Sequence, residues 1–84
     1  MRLVGKEKIQ HLLRSDESAR AWLYLWIAEL AYANWRQPAD VVSQFPNVQQ
    51  PESGNFVFPI ANCDKKVHIQ IAFPQGVAVI TGLQ

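Results

Sequence analysis

From Lys66 to Phe73 the chain alternates. Val67, Ile69, Ile71 and Phe73 are apolar, and the intervening Lys66, His68, Gln70 and Ala72 are polar or small. A period of two is the signature of a strand with one face buried and one face free. Apolar runs of similar length lie on either side, so three strands are predicted, over residues 55–61, 65–73 and 77–83. The turns between them, Asn62-Cys63-Asp64 and Pro74-Gln75-Gly76, are short. Short turns join antiparallel neighbours, and the three strands are expected to form a meander. The apolar side of the middle strand then meets the rest of the protein, which leaves the side of Lys66, His68 and Gln70 to solvent, a groove or a partner.

The first half of the chain carries a different period. Ile9, Leu12 and Leu13 fall at helical spacing and predict a short helix over residues 6–14. Ser15 is placed to cap a second helix, with Asp16 and Glu17 in its first turn, where acids suit the positive end of the dipole. That helix is predicted over residues 16–34, a stretch free of Gly and Pro. It has two apolar stripes. Ala19, Trp22, Leu23, Trp26, Ile27 and Leu30 form one, and Ala21, Leu25, Ala28 and Tyr32 form the other. A helix with one buried face needs only one stripe, so the second is expected to pack on the first helix or on another chain. Pro38 opens a third, short helix with Val41, Val42 and Phe45 on its apolar side, and Pro46 ends it. The polar residues 47–54 read as a surface loop. The fold class expected is α+β, with two to three N-terminal helices packed on a three-stranded antiparallel meander in a single domain.

Composition narrows the possibilities. Eighty-four residues, 49% of them hydrophobic, suffice for one core. The single cysteine excludes an intramolecular disulfide and suits a reducing compartment. The first eight residues contain no apolar segment of the kind that leads a secreted chain, and the apolar stretch of residues 21–33 is short and interrupted by Glu29. No membrane role is expected, and the cytoplasm is the expected location. A net charge of +1 argues against binding nucleic acid by bulk charge. A local basic patch remains available, because Lys6, Lys8, His11 and Arg14 fall in the first helix.

Glycine-rich phosphate loops, paired cysteines and His-x-x-x-His pairs are missing from the chain, so no metal and no cofactor are expected. The row Lys66, His68, Gln70 is the one constellation with chemical potential. An imidazole can give or take a proton near neutrality, and an ammonium group can neutralise phosphate. RNA cleavage needs a base for the 2′-hydroxyl, an acid for the leaving oxygen and a cation for the crowded phosphate. The plain alternative is that these residues are the wet side of a half-buried strand. Arg36, beside Trp35, could meet a base or phosphate, or simply complement a helix end. Cys63 is expected in a hairpin turn with no positive helix end beside it, an incidental thiol.

Several short stretches, in their order, resemble the HigB-type toxins of bacterial toxin–antitoxin modules, within the RelE-like superfamily. They are the opening from Met1 to Lys8, the junction Ala33-Asn34-Trp35-Arg36-Gln37-Pro38-Ala39-Asp40, the step Phe45-Pro46, the strand Phe56-Val57-Phe58-Pro59-Ile60 and the hairpin Gln75-Gly76-Val77-Ala78-Val79-Ile80. The resemblance implies a RelE-like fold and a metal-independent endoribonuclease that cuts messenger RNA on the ribosome. It also implies an antitoxin from a neighbouring gene as partner. On that basis His68 and Lys66 are the catalytic candidates, and Lys65, Lys66, Arg36 and Lys8 the RNA-binding ones. The family tends to carry Arg where Lys66 stands and a basic residue where Gln70 stands. It also continues past its last strand with a Thr-His-x-x-Tyr-Asp segment, where this sequence ends at Thr81-Gly82-Leu83-Gln84. These departures imply a second possibility, a binding protein that keeps the antitoxin contact or self-associates through its second helix without cutting RNA.

Overall fold

A computed structural model describes residues 1–61 and 63–84. The predicted turn residue Asn62 lies outside the described residues. The chain runs β1 (Arg2–Val4), a 3-10 turn (Lys6–Ile9), α1 (Gln10–Ser15), α2 (Glu17–Tyr32), α3 (Pro38–Gln44), β2 (Gln49–Glu52), β3 (Asn55–Pro59), β4 (Lys66–Ala72) and β5 (Val77–Leu83). The class is α+β, as expected. The sheet has five strands rather than three, in the order β1-β5-β4-β3-β2. β3, β4 and β5 are antiparallel neighbours, β2 adds antiparallel to β3, and β1 adds parallel to β5, so the sheet is mixed.

Local chemistry accounts for the helix boundaries. The N-cap of α2 is Asp16, not Ser15: its Oδ1 accepts from the Ala19 backbone N–H at 3.1 Å. Ser15 instead ends α1, its hydroxyl donating back to the His11 carbonyl at 2.9 Å. Pro38 occupies the first turn of α3, where a missing N–H costs nothing. Gly5 precedes the 3-10 turn with φ of 93°, and a Cβ there would stand 2.8 Å from the Ile80 carbonyl oxygen. Only glycine combines that backbone with that approach.

The core lies between α2 and one face of the sheet. Ala19, Leu23, Trp26 and Leu30 of α2 are buried against Phe56, Phe58, Val67, Ile69 and Ile80. Trp26 is central, stacked with Trp22 at 6.1 Å and edge-on to Phe58 at 5.4 Å. Burial of such large side chains stabilises by roughly 1.5–3 kcal/mol each. The second stripe of α2 behaves differently. Ala21, Leu25, Ala28 and Tyr32 are exposed, Tyr32 by 90%, and α1 does not cover them.

Candidate functional site

The alternation along β4 sets which side chains can act. Val67, Ile69 and Ile71 are buried, Lys66, Gln70 and Ala72 are exposed, and His68 is half-buried on the same side as the exposed set. The odd-numbered positions thus sit beneath the helices and the even-numbered ones emerge on the other face of the sheet. Strand register fills in the surroundings. His68 lies between Val57 of β3 and Gly82 of β5, Gln70 between Asn55 and Val79, and Lys66 beside Pro59.

A hollow of about 230 Å³ opens on this face, lined in part by His68, Val57, Asn55, Glu52, Pro51 and Thr81. Two irregularities shape it. The pairing of β4 with β5 shifts between His68 and Ile69, with Thr81 left out of the register. A bulge of this kind re-aims side chains. The Thr81 hydroxyl donates to the His68 carbonyl at 3.2 Å and ties the bulge to the strand. The pairing of β2 with β3 also shifts, between Gln49 and Glu52, which brings the β2 end to the rim. There Asn55 Nδ2 donates to Glu52 Oε2 at 3.3 Å. Glu52, Asn55 and Thr81 were not singled out by sequence reasoning. Nothing in the polar, proline-containing Gln49-Gln50-Pro51-Glu52 signals a strand, and Thr81 reaches the hollow only through a bulge.

The structure places Lys66 and His68 two residues apart on one strand, about 6.5 Å along the backbone. Lys65 is exposed just before β4, and its carbonyl accepts from the Ile60 N–H at 3.2 Å. Lys8 is exposed on the 3-10 turn after β1. Arg36 is exposed in the connection between α2 and α3, its backbone N–H donating to Asp40 Oδ2 at 2.9 Å. Among the described residues no hydrogen bond joins Lys8 or Arg36 to the β4 row. The expectation for Cys63 is corrected: a helix N-terminus does lie beside it, with Sγ 4.0 Å from Oδ2 of Asp16, the cap of α2. Among the described residues no three His, Cys, Asp or Glu side chains gather in a way that could hold a metal ion. No helix among them is long and apolar enough to cross a membrane.

Chemically, the face offers one imidazole in a concave setting, one ammonium group on its strand, and a carboxylate, an amide and a hydroxyl at the rim. No known family's sequence profile matches the chain, and no curated protein matches it as a relative.

Proposed function

We propose that this chain is the toxin-like component of a bacterial type II toxin–antitoxin module, of the HigB kind and with a RelE-like fold. In this reading it acts in the cytoplasm, cleaves messenger RNA at the ribosome without a metal, and is silenced by an antitoxin from a neighbouring gene. One observation carries the proposal: His68 sits in a hollow on the helix-free face of the sheet, with Lys66 exposed on the same side of the same strand. The five stretches of sequence resemblance support the family part of the reading.

The chemistry assigned to the face is transesterification. A base takes the proton of the ribose 2′-hydroxyl, the oxygen bonds to phosphorus, and the bond from phosphorus to the 5′-oxygen breaks as an acid protonates that oxygen. His68 serves as the acid–base group and Lys66 neutralises the phosphate; Lys65, Arg36 and Lys8 extend the RNA contact beyond the hollow. Proton transfer by a positioned side chain contributes roughly 100- to 10,000-fold. His68→Ala is therefore expected to lower RNA cleavage by about 100-fold or more, and Lys66→Ala to lower it less, with the circular dichroism of both variants unchanged. Unchanged cleavage in both variants would remove the site. Growth and message half-lives that stay normal on induced expression would remove the nuclease.

A second reading is favoured by Glu52. Its carboxylate lines the same hollow and opposes a polyanion, which suits a HigB-like protein that binds its antitoxin without cutting RNA. Co-purification with the neighbouring gene's product, without growth arrest, is the expected result in that case. Absence of any such complex would count against both readings.

A further inference from the structure

One group in the hollow of the open sheet face is out of character with the reaction assigned there. Glu52 lines the same hollow as His68, and a carboxylate repels phosphate. Under the nuclease reading, on which this inference rests, the carboxylate must face the uncharged part of RNA, its bases. Asn55 Nδ2 donates to Glu52 Oε2 at 3.3 Å. An ionised carboxylate only accepts, so the amide must turn its nitrogen to Glu52, and one of the two Nδ2 hydrogens is left over. The pair therefore presents a donor followed by two acceptors: the second Nδ2 hydrogen, then Oε2, then Oε1.

The Watson–Crick edge of guanine is the complement of that row. It runs acceptor, donor, donor, through O6, N1–H and N2–H. The other RNA bases do not fit. Adenine and cytosine each set a ring-nitrogen acceptor beside the amino group, and uracil has one N–H between two carbonyls. Each would bring a lone pair against a carboxylate oxygen. We infer that the hollow reads guanine, with Glu52 accepting from N1–H and N2–H and Asn55 donating to O6. Single-stranded RNA is commonly read on this edge. Pro51 and Val57 line the same hollow and give apolar surface to the flat of the ring. The register ties this base site to the reaction. Asn55 pairs with Gln70, and Val57 with His68, so Asn55 and His68 are diagonal neighbours across β3 and β4, about 7–8 Å apart. A guanine held at Glu52 and Asn55 sets its own ribose and 3′-phosphate toward His68. The 2′-oxygen of that guanosine bonds to phosphorus as its proton passes to the imidazole. The bond from phosphorus to the 5′-oxygen of the next nucleotide breaks, and that oxygen takes a proton back from the imidazolium. The products are a guanosine 2′,3′-cyclic phosphate end and a 5′-hydroxyl end.

Nucleotide binding tests the base site without requiring cleavage. 3′-GMP and 3′-AMP are titrated into the whole chain and followed by NMR at the Asn55 side-chain amide and the His68 ring. 3′-GMP is expected to bind at least about tenfold more tightly, the scale of one good two-point base contact. 3′-IMP, which lacks N2–H, should fall between them. Glu52→Gln should lower the preference for 3′-GMP over 3′-AMP by at least about fivefold. Glu52 is exposed on an edge strand, so the variant should keep the circular dichroism of the parent. Loss of the charge favours any phosphate, so the ratio of affinities is the readout. Equal affinities in the wild type, or no binding of either nucleotide at about 5 mM, would overturn the proposal. So would a preference that Glu52→Gln leaves intact. Cut ends on messenger RNA are mapped separately. They are expected after guanine in the wild type and after other bases as well in Glu52→Gln. Wild-type cuts after all bases alike would overturn the guanine assignment and leave the nuclease standing. Guanine preference in binding with no cuts at all would remove the nuclease and keep the base site.

Discussion

The two faces of the sheet are built from adjacent residues and have opposite fates. On the face beneath α2, Phe56, Phe58, Val67, Ile69 and Ile80 are all buried. On the other, Lys66, Gln70, Ala72, Val79 and Thr81 are exposed, and Val57 is the one strongly buried side chain, forming the floor beneath His68. The covered face holds the fold together through packing, where shape is tightly specified. The open face has little packing to lose, so its residue types are free to be chosen for chemistry. The single step from Ile69 to Gln70 moves from one regime to the other.

That contrast can be broken by substitution along the step. Ile69→Ala removes a fully enclosed side chain and should cost about 2–5 kcal/mol in chemical denaturation, whereas Gln70→Ala should stay within about 0.5 kcal/mol. Equal losses at the two positions would erase the distinction between faces. Gly5→Ala comes next. The positive φ and the 2.8 Å approach to the Ile80 carbonyl predict a loss of about 1–3 kcal/mol, without any change of apolar burial. A neutral outcome would mean that β1 is not held against β5 as described. Smallest, Thr81→Ala removes one hydroxyl-to-carbonyl hydrogen bond on the open face and should cost about 0.5–1.5 kcal/mol. If the proposed nuclease reading holds and the bulge aims His68, the same change should also lower RNA cleavage beyond what the lost stability accounts for; cleavage that falls only in step with stability would make the bond merely structural.

The legible parts of the fold were those long enough to repeat their period. β4 and α2 each repeat their pattern several times, and β5 matches its predicted bounds of Val77–Leu83. β1 was missed because three residues carry almost no period and its partner lies at the other end of the chain. β2 was missed because all four of its residues are exposed and one is proline; its pairing with β3, not its own composition, makes it a strand. The cap shifted from Ser15 to Asp16 because two adjacent polar residues divide two helix ends between them. The side of the sheet on which His68 emerges followed from parity alone. The hollow around it did not, since it depends on two register shifts and on the edge strand that sequence reading took for loop. Cys63 beside the cap of α2 is a contact between distant segments, which no local pattern encodes.

The parallel pairing of β1 with β5 joins Arg2 to Val77 and Val4 to Val79. The sheet is therefore finished only when residues 2–4 meet residues 77–79. Such long-range closure slows folding and leaves apolar edges bare in the interim. A polypeptide released from the ribosome before Val77 would already contain Lys66 and His68, yet the strand that flanks them on one side would not exist. Residues 77–83 thus hold both β1 and β4 in the sheet, and a fragment lacking them is expected to be less stable than the five-stranded sheet.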